Sequence, residues 1–162
     1  MRYLALFLAL GMTPLFSAQD AAAVGTWKLD SAKSKYSPGT PPASATMTIQ
    51  EQSDGLKTTY QEVEADGSHN GYEYAASYDG KDYPLTVSGT PTWHAEELSG
   101  AEAVVLRHAG GNSYSLLLKN SKGVVMTIRS VVSKNGKVMT VTAFGADASG
   151  KTMSSVSVWD KQ

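Results

Sequence analysis

Asx-Gly pairs recur along the chain, and Asp54-Gly55, Asp66-Gly67, Asp79-Gly80 and Asn135-Gly136 mark its candidate turns. A type I′ turn needs positive φ at both central residues, which Asn, Asp and Gly tolerate best, so each pair marks a hairpin. The first three lie about a dozen residues apart, which leaves roughly ten residues per strand and makes the chain a meander. The intervening segments are rich in Thr, Val, Tyr and Ile, residues suited to a pleated surface. No window after Ala23 holds apolar residues at helical spacing over three turns with caps at both ends. The reading is therefore all-β.

Ten strands follow from this cadence: Gly25–Asp30, Ala45–Ser53, Leu56–Ala65, Ser68–Tyr78, Tyr83–Val87, Trp93–Leu98, Ala103–His108, Ser113–Lys119, Val124–Ser133 and Lys137–Ala146. Lys151–Asp160 adds a closing segment, so one of the shorter middle pieces is expected to be loop, Trp93–Leu98 being the weakest. Ser31–Ala43, with its Ser-Pro-Gly-Thr-Pro-Pro, is expected to be ordered coil. A meander of this size protects its edges most completely by closing on itself, which predicts a single up-and-down antiparallel β-barrel of about ten strands.

A two-residue turn at Asn135-Gly136 places Val132 opposite Met139, Ser130 opposite Val141 and Ile128 opposite Ala143. Met126, Ile128, Val132, Met139, Val141 and Ala143 then share the drier, inward face, and Arg129 points to solvent. The other end of the meander is less consistent. Pairing through Asp66-Gly67 puts Thr59, Gln61 and Val63 on the face of Tyr72, Tyr74, Ala76 and Tyr78. The opposite face carries Leu56 and Tyr60 but also Glu62, Glu64 and Glu73. Sending the acids to water turns Met47 and Ile49 outward through the Asp54-Gly55 hairpin, unless a bulge near Asn70-Gly71 shifts the parity.

Residues 1–23 have the layout of a secretory signal peptide: Arg2, an apolar run from Tyr3 to Leu10, the breakers Gly11 and Pro14, then small residues. Cleavage is expected after Ala18 or Ala23, leaving a barrel domain over 24–162. The apolar run is shorter than the about 20 residues that span a bilayer, so no membrane span is expected. A periplasmic or secreted location follows, and the absence of cysteine fits a chain that needs no oxidative folding. Lys plus Arg is 14 against 15 for Asp plus Glu, a net charge of −1 with no basic stripe, which argues against nucleic acid as a partner.

The ends of the barrel segment carry a resemblance. Gly25-Thr26-Trp27-Lys28-Leu29-Asp30 resembles the opening signature of the calycins, the lipocalin and fatty-acid-binding protein group, whose Gly-x-Trp tryptophan packs across the closed end of the barrel. Val158-Trp159-Asp160-Lys161 is similar to the Val-Tyr-Glu-Lys ending of intracellular fatty-acid-binding proteins. Asp79–Pro84 and Val131–Thr142 resemble a family of small exported bacterial lipocalin-like proteins, over nearly the whole mature chain. The resemblance implies a lipocalin-like barrel with an internal ligand cavity and no particular ligand. Two departures weigh on it. Ser157 and Trp159 stand where an Arg-x-Tyr holds the ligand carboxylate, and the Pro-rich Ser31–Ala43 replaces a helix-turn-helix lid.

Chemistry-bearing clusters are sparse. His69, His94 and His108 sit in separate segments, and a metal site needs about three convergent ligands. His94 with Glu96 and Glu97 reads as an exposed acidic loop. There is no Gly-x-Ser-x-Gly elbow, and Glu62 and Glu64, about 7 Å apart by strand rise, have a spacing common on solvated strands. No catalytic residue, metal or cofactor is expected. His108, alternating with Val104 and Leu106, is expected to point inward as a hydrogen-bonded core histidine. Tyr72, Tyr74 and Tyr78 share a strand face, with Tyr60 on the neighbouring strand, an arrangement that could stack on a ligand and hydrogen-bond it. Trp27 and Trp159 suit end-plugging and packing. Tyr60, Tyr72, Tyr74, Tyr78, His108 and Trp159 form the candidate ligand-contacting set.

The function expected is a non-enzymatic, monomeric, exported barrel that binds a small hydrophobic or amphiphilic ligand. The alternative is a periplasmic protein-interaction module or inhibitor with a filled core, acting through Ser31–Ala43 and Ser88–Gly100.

Overall fold

The computed structural model describes residues 22–89, 100–146 and 150–162. The segment read as a signal peptide, apart from Ala22 and Ala23, lies outside the described residues, and so do Trp93–Leu98, His94, Glu96 and Glu97. Ten strands run in order: β1 Gly25–Ser37, β2 Ser44–Gln52, β3 Gly55–Val63, β4 His69–Ser77, β5 Tyr83–Gly89, β6 Ala103–His108, β7 Ser113–Asn120, β8 Gly123–Val132, β9 Val138–Ala146 and β10 Thr152–Lys161. Each pairs antiparallel with its neighbours in sequence, and β1 pairs with β10 to close the barrel. The meander and its closure match the cadence of the turns.

The turns themselves use a different chemistry from type I′. Among the described residues every positive φ belongs to a glycine, so no Asx-Gly pair has both central residues left-handed. In three of the pairs the Asx side chain instead caps the turn. Asp66 Oδ1 accepts from the Ser68 amide at 2.8 Å, Asp79 Oδ1 from Lys81 at 3.0 Å and Asn135 Oδ1 from Lys137 at 3.1 Å. This is the Asx-turn, in which a short side chain satisfies a backbone donor two residues on.

The difference decides the register of β3 on β4. Gly67 N–H donates to Glu64 O at 3.0 Å and Glu64 N–H to Ser68 O at 2.9 Å, so the loop has three residues, ending on Gly67 at φ 85°. Three-residue hairpins of this kind end on a left-handed glycine. The one-residue shift turns every side chain of β3 over. Tyr60 now faces Tyr72, Thr58 faces Tyr74, Leu56 faces Ala76 and Glu62 faces Asn70. The inward row is Leu56, Thr58, Tyr60 and Glu62, all buried, with Met47 and Ile49 of β2 also inside. Sending the acids to water thus fails at Glu62 and holds at Glu73, which lies outside on Lys57 and Thr59. The parity shift sits at the Gly67 turn, not at Asn70-Gly71.

At the other hairpin the expected pairs, Val132 with Met139, Ser130 with Val141 and Ile128 with Ala143, are all present. Arg129 is exposed. β1 extends beyond its expected end, because the coil read over Ser31–Ala43 continues as strand to Ser37 across a bulge between Asp30 and Lys35. Ser34 repairs the ladder there: its hydroxyl donates to Asp30 O at 2.7 Å and accepts from the Val158 amide at 3.0 Å.

Side chains fill the barrel unevenly. At the end where β1 begins, Trp27, Ile49, Leu56, Leu106 and Met139 are all but fully buried. Trp27 Nε1–H donates to Ala23 O at 2.8 Å, and the Lys161 ammonium lies 5.2 Å from the ring centroid. This is the closed end expected of Gly25-Thr26-Trp27.

Two glycines test the turn argument for different reasons. Gly67 has open space around it but a left-handed φ, so Gly67→Ala is expected to cost about 1 kcal/mol. A Cβ on Gly55 would sit 1.9 Å from Ala76 O, so Gly55→Ala forces two backbones apart and is expected to cost about 3 kcal/mol. Urea midpoints of the two variants check the order.

A tyrosine-lined cavity as candidate functional site

Beyond the packed end the inward rows leave a cavity of about 80 Å³. At roughly 10–15 Å³ for each water, against about 150 Å³ for an enclosed benzene, that is room for a handful of waters or for the leading part of a ring-bearing molecule. Its aromatic wall comes from Tyr36 of β1, Tyr60 of β3, Tyr72 and Tyr74 of β4, Tyr114 of β7 and Trp159 of β10. Met47, Leu116, Met126, Ile128, Val141 and Ala143 supply the apolar remainder, with the hydroxyls of Ser130, Ser155 and Ser157.

Strand alternation builds the aromatic row. Tyr72 and Tyr74 are two residues apart on β4, and the register places Tyr60 across from Tyr72. The rings of Tyr60 and Tyr72 stack with centroids 4.8 Å apart at 14°, Tyr72 and Tyr74 lie 6.3 Å apart at 11°, and Trp159 meets Tyr60 edge-on at 5.9 Å. Trp159 is therefore both packing and wall.

Of the six expected residues, Tyr60, Tyr72, Tyr74 and Trp159 come together around the cavity. Tyr78 and His108 do not. Their rings stack on each other 3.8 Å apart at 13°, where β4 and β6 end. His108 follows Val104 and Leu106 in parity, as expected, but it is the last residue of its strand and is exposed rather than in the core. Tyr36 and Tyr114 complete the wall without having been anticipated. Tyr36 lies beyond the β1 bulge in what read as coil, whereas Tyr114, alternating with Leu116 and Leu118, was accessible to the same parity argument that placed the other tyrosines.

Glu62 is the other unanticipated residue. Its side chain is buried at 2% exposure, and Tyr60 Oη donates a hydrogen bond to its Oε2. Burial pushes the carboxyl from its ordinary 4.5 up to about 7; the bonds from Tyr60 and Asn70 hold it down and the nearby Glu64 charge adds to the rise. Burial and the Glu62 charge in turn push the Tyr60 phenol well above its usual range. Burial likewise raises Tyr114, to about 12.

Among the described residues no group of three or more His, Cys, Asp or Glu is placed to hold a metal ion. No described helix is long and apolar enough to cross a membrane.

No protein-family model matches the chain, and neither does any curated protein. Among solved structures, the chain is similar to zebrafish ileal bile acid-binding protein, crystallised with cholic acid. That match has a TM-score of 0.49 and 14% identity over 87% of this chain and 99% of that one. The fold assignment stands on the closed ten-strand ring itself.

The buried acid carries a pH signature. With a folded value of about 7 against an ordinary 4.5, the folded chain binds more protons than the unfolded one between those limits. Stability from this group is complete below about pH 4.5 and is lost as pH rises through about 7. Glu62→Gln has no such proton to lose, so its stability relative to wild type is expected to rise by up to about 3 kcal/mol from acid to pH 8. Urea denaturation of both proteins across that range checks it; parallel pH profiles would overturn the assignment.

Proposed function

We propose that this chain is an exported, non-enzymatic barrel that binds a small amphiphilic or aromatic molecule inside. The observation that carries this reading is the aromatic row of Tyr60, Tyr72 and Tyr74 with Trp159 around an unfilled interior. Ring faces supply stacking and dispersion, hydroxyls fix orientation, and the packed end gives the ligand a floor.

Trp159 makes binding visible. A panel of ring-bearing amphiphiles is expected to contain at least one that quenches tryptophan fluorescence saturably. Ala143, itself in the wall, offers a way to fill the space: Ala143→Leu is expected to weaken that binding at least tenfold while the barrel still unfolds cooperatively. Absence of saturable quenching across the panel would favour the alternative, a partner-binding module working through Ser31–Ala43.

For export, cleavage after Ala18 is the site that fits the barrel. Ala23 is buried and its carbonyl accepts from Trp27, a contact that cleavage after Ala23 would remove. Expression of the full chain with a secretion-competent host, followed by intact mass of the exported product, is expected to show Gln19 as the first residue.

A further inference from the structure

The proton bookkeeping around the cavity narrows the ligand class. Each hydroxyl has one proton to give and lone pairs to receive. The Tyr60 proton goes to Glu62. Trp159 Nε1–H goes to Ser157 Oγ at 2.8 Å, and Ser157 in turn donates to Val141 O at 3.4 Å. Tyr114 Oη donates to Met139 Sδ at 3.8 Å. These groups keep lone pairs, and the tyrosine rings add the negative faces of their π-systems. Among the described residues that line the cavity there is no Lys, Arg or His to offset an anion. The carboxyl behind Tyr60 is instead an acid, buried and shielded from water by the barrel wall.

Taking the cavity as a ligand site, we propose that it selects a compact, ring-bearing organic ammonium ion over a carboxylate. The ammonium donates to the Tyr60 oxygen, whose lone pair is enriched by the proton it shares with Glu62, and rests against the aromatic row as a cation on π faces. A carboxylate of the same shape can accept from a wall hydroxyl such as that of Ser155, but it meets no cation to offset its lost hydration and faces the Glu62 carboxylate behind Tyr60.

Three probes of matched size separate the possibilities: benzylammonium, benzyl alcohol and benzoate, titrated against the whole barrel at about pH 8, where Glu62 is mostly ionised. Ligand-observed NMR reads the affinities. Benzylammonium is expected to bind at least tenfold more tightly than benzoate, with benzyl alcohol between them. Glu62→Gln is expected to bring the ammonium-to-benzoate ratio within about threefold of unity, and to shift benzyl alcohol, which carries no charge, by less than it shifts benzylammonium. Tyr60→Phe keeps the ring and removes the relay, so it is expected to do the same, and it serves should Glu62→Gln fail to fold. Benzoate binding as tightly as benzylammonium, or a ratio untouched in the folded variants, overturns this selectivity and leaves the cavity reading in place. No saturable binding of any of the three overturns the cavity reading as well.

Discussion

Everything in the interior depends on how many residues turn the chain between β3 and β4. Side chains on a strand alternate faces, so one residue more or less in that loop exchanges the inner and outer rows wholesale. With Gly67 closing a three-residue loop, Tyr60 stands against Tyr72 and Glu62 is drawn inside. A two-residue loop would put Thr59, Gln61 and Val63 in their places and leave Met47 and Ile49 in conflict with their neighbours. The buried carboxyl is thus the cost of a register that seats Leu56, Thr58 and Tyr60 in the interior at once. That cost is met locally, by a phenol and an amide on adjacent strands.

The interior that results is polarised along its length. One end is dry and closed around Trp27, while the other half is lined by aromatic rings, of which Tyr60 donates to Glu62, Trp159 to Ser157 and Tyr114 to Met139. Those three bonds fix the orientation of their rings, which favours a defined occupant over general greasiness. The stacked pair of Tyr78 and His108 lies outside this half, where β4 and β6 end.

Much of this was legible in the residues. The Asx-Gly cadence gave the meander because Asx and Gly relieve the turn in any hairpin geometry, and the register of the 135–136 hairpin was legible because only one pairing made both its faces consistent, although the turn between Ser133 and Val138 is longer than the two residues expected. The β3–β4 register was not, since Asp66-Gly67 suits a two-residue and a three-residue loop alike, and the choice is made by packing across the barrel. Glu62 was hidden for the same reason: it shares a face with Tyr60 in any register, but only the correct one turns that face inward and sets Asn70 opposite. Tyr36 was masked by the prolines that follow it, which made the end of β1 resemble a loop, and His108 by a parity argument that is blind to where a strand stops.

The bond between β1 and β10 has a consequence for how the molecule comes into being. Trp27 sits opposite Lys161, and the Gln162 amide reaches Thr26 O at 2.9 Å. The hoop is therefore sealed between the first strand of the ring and the last, the pairing with the greatest separation along the chain of any in the barrel, and such partnerships are the slow ones. A nascent chain threading out head first can form hairpin after hairpin, yet it stays an unsealed ribbon until its tail arrives.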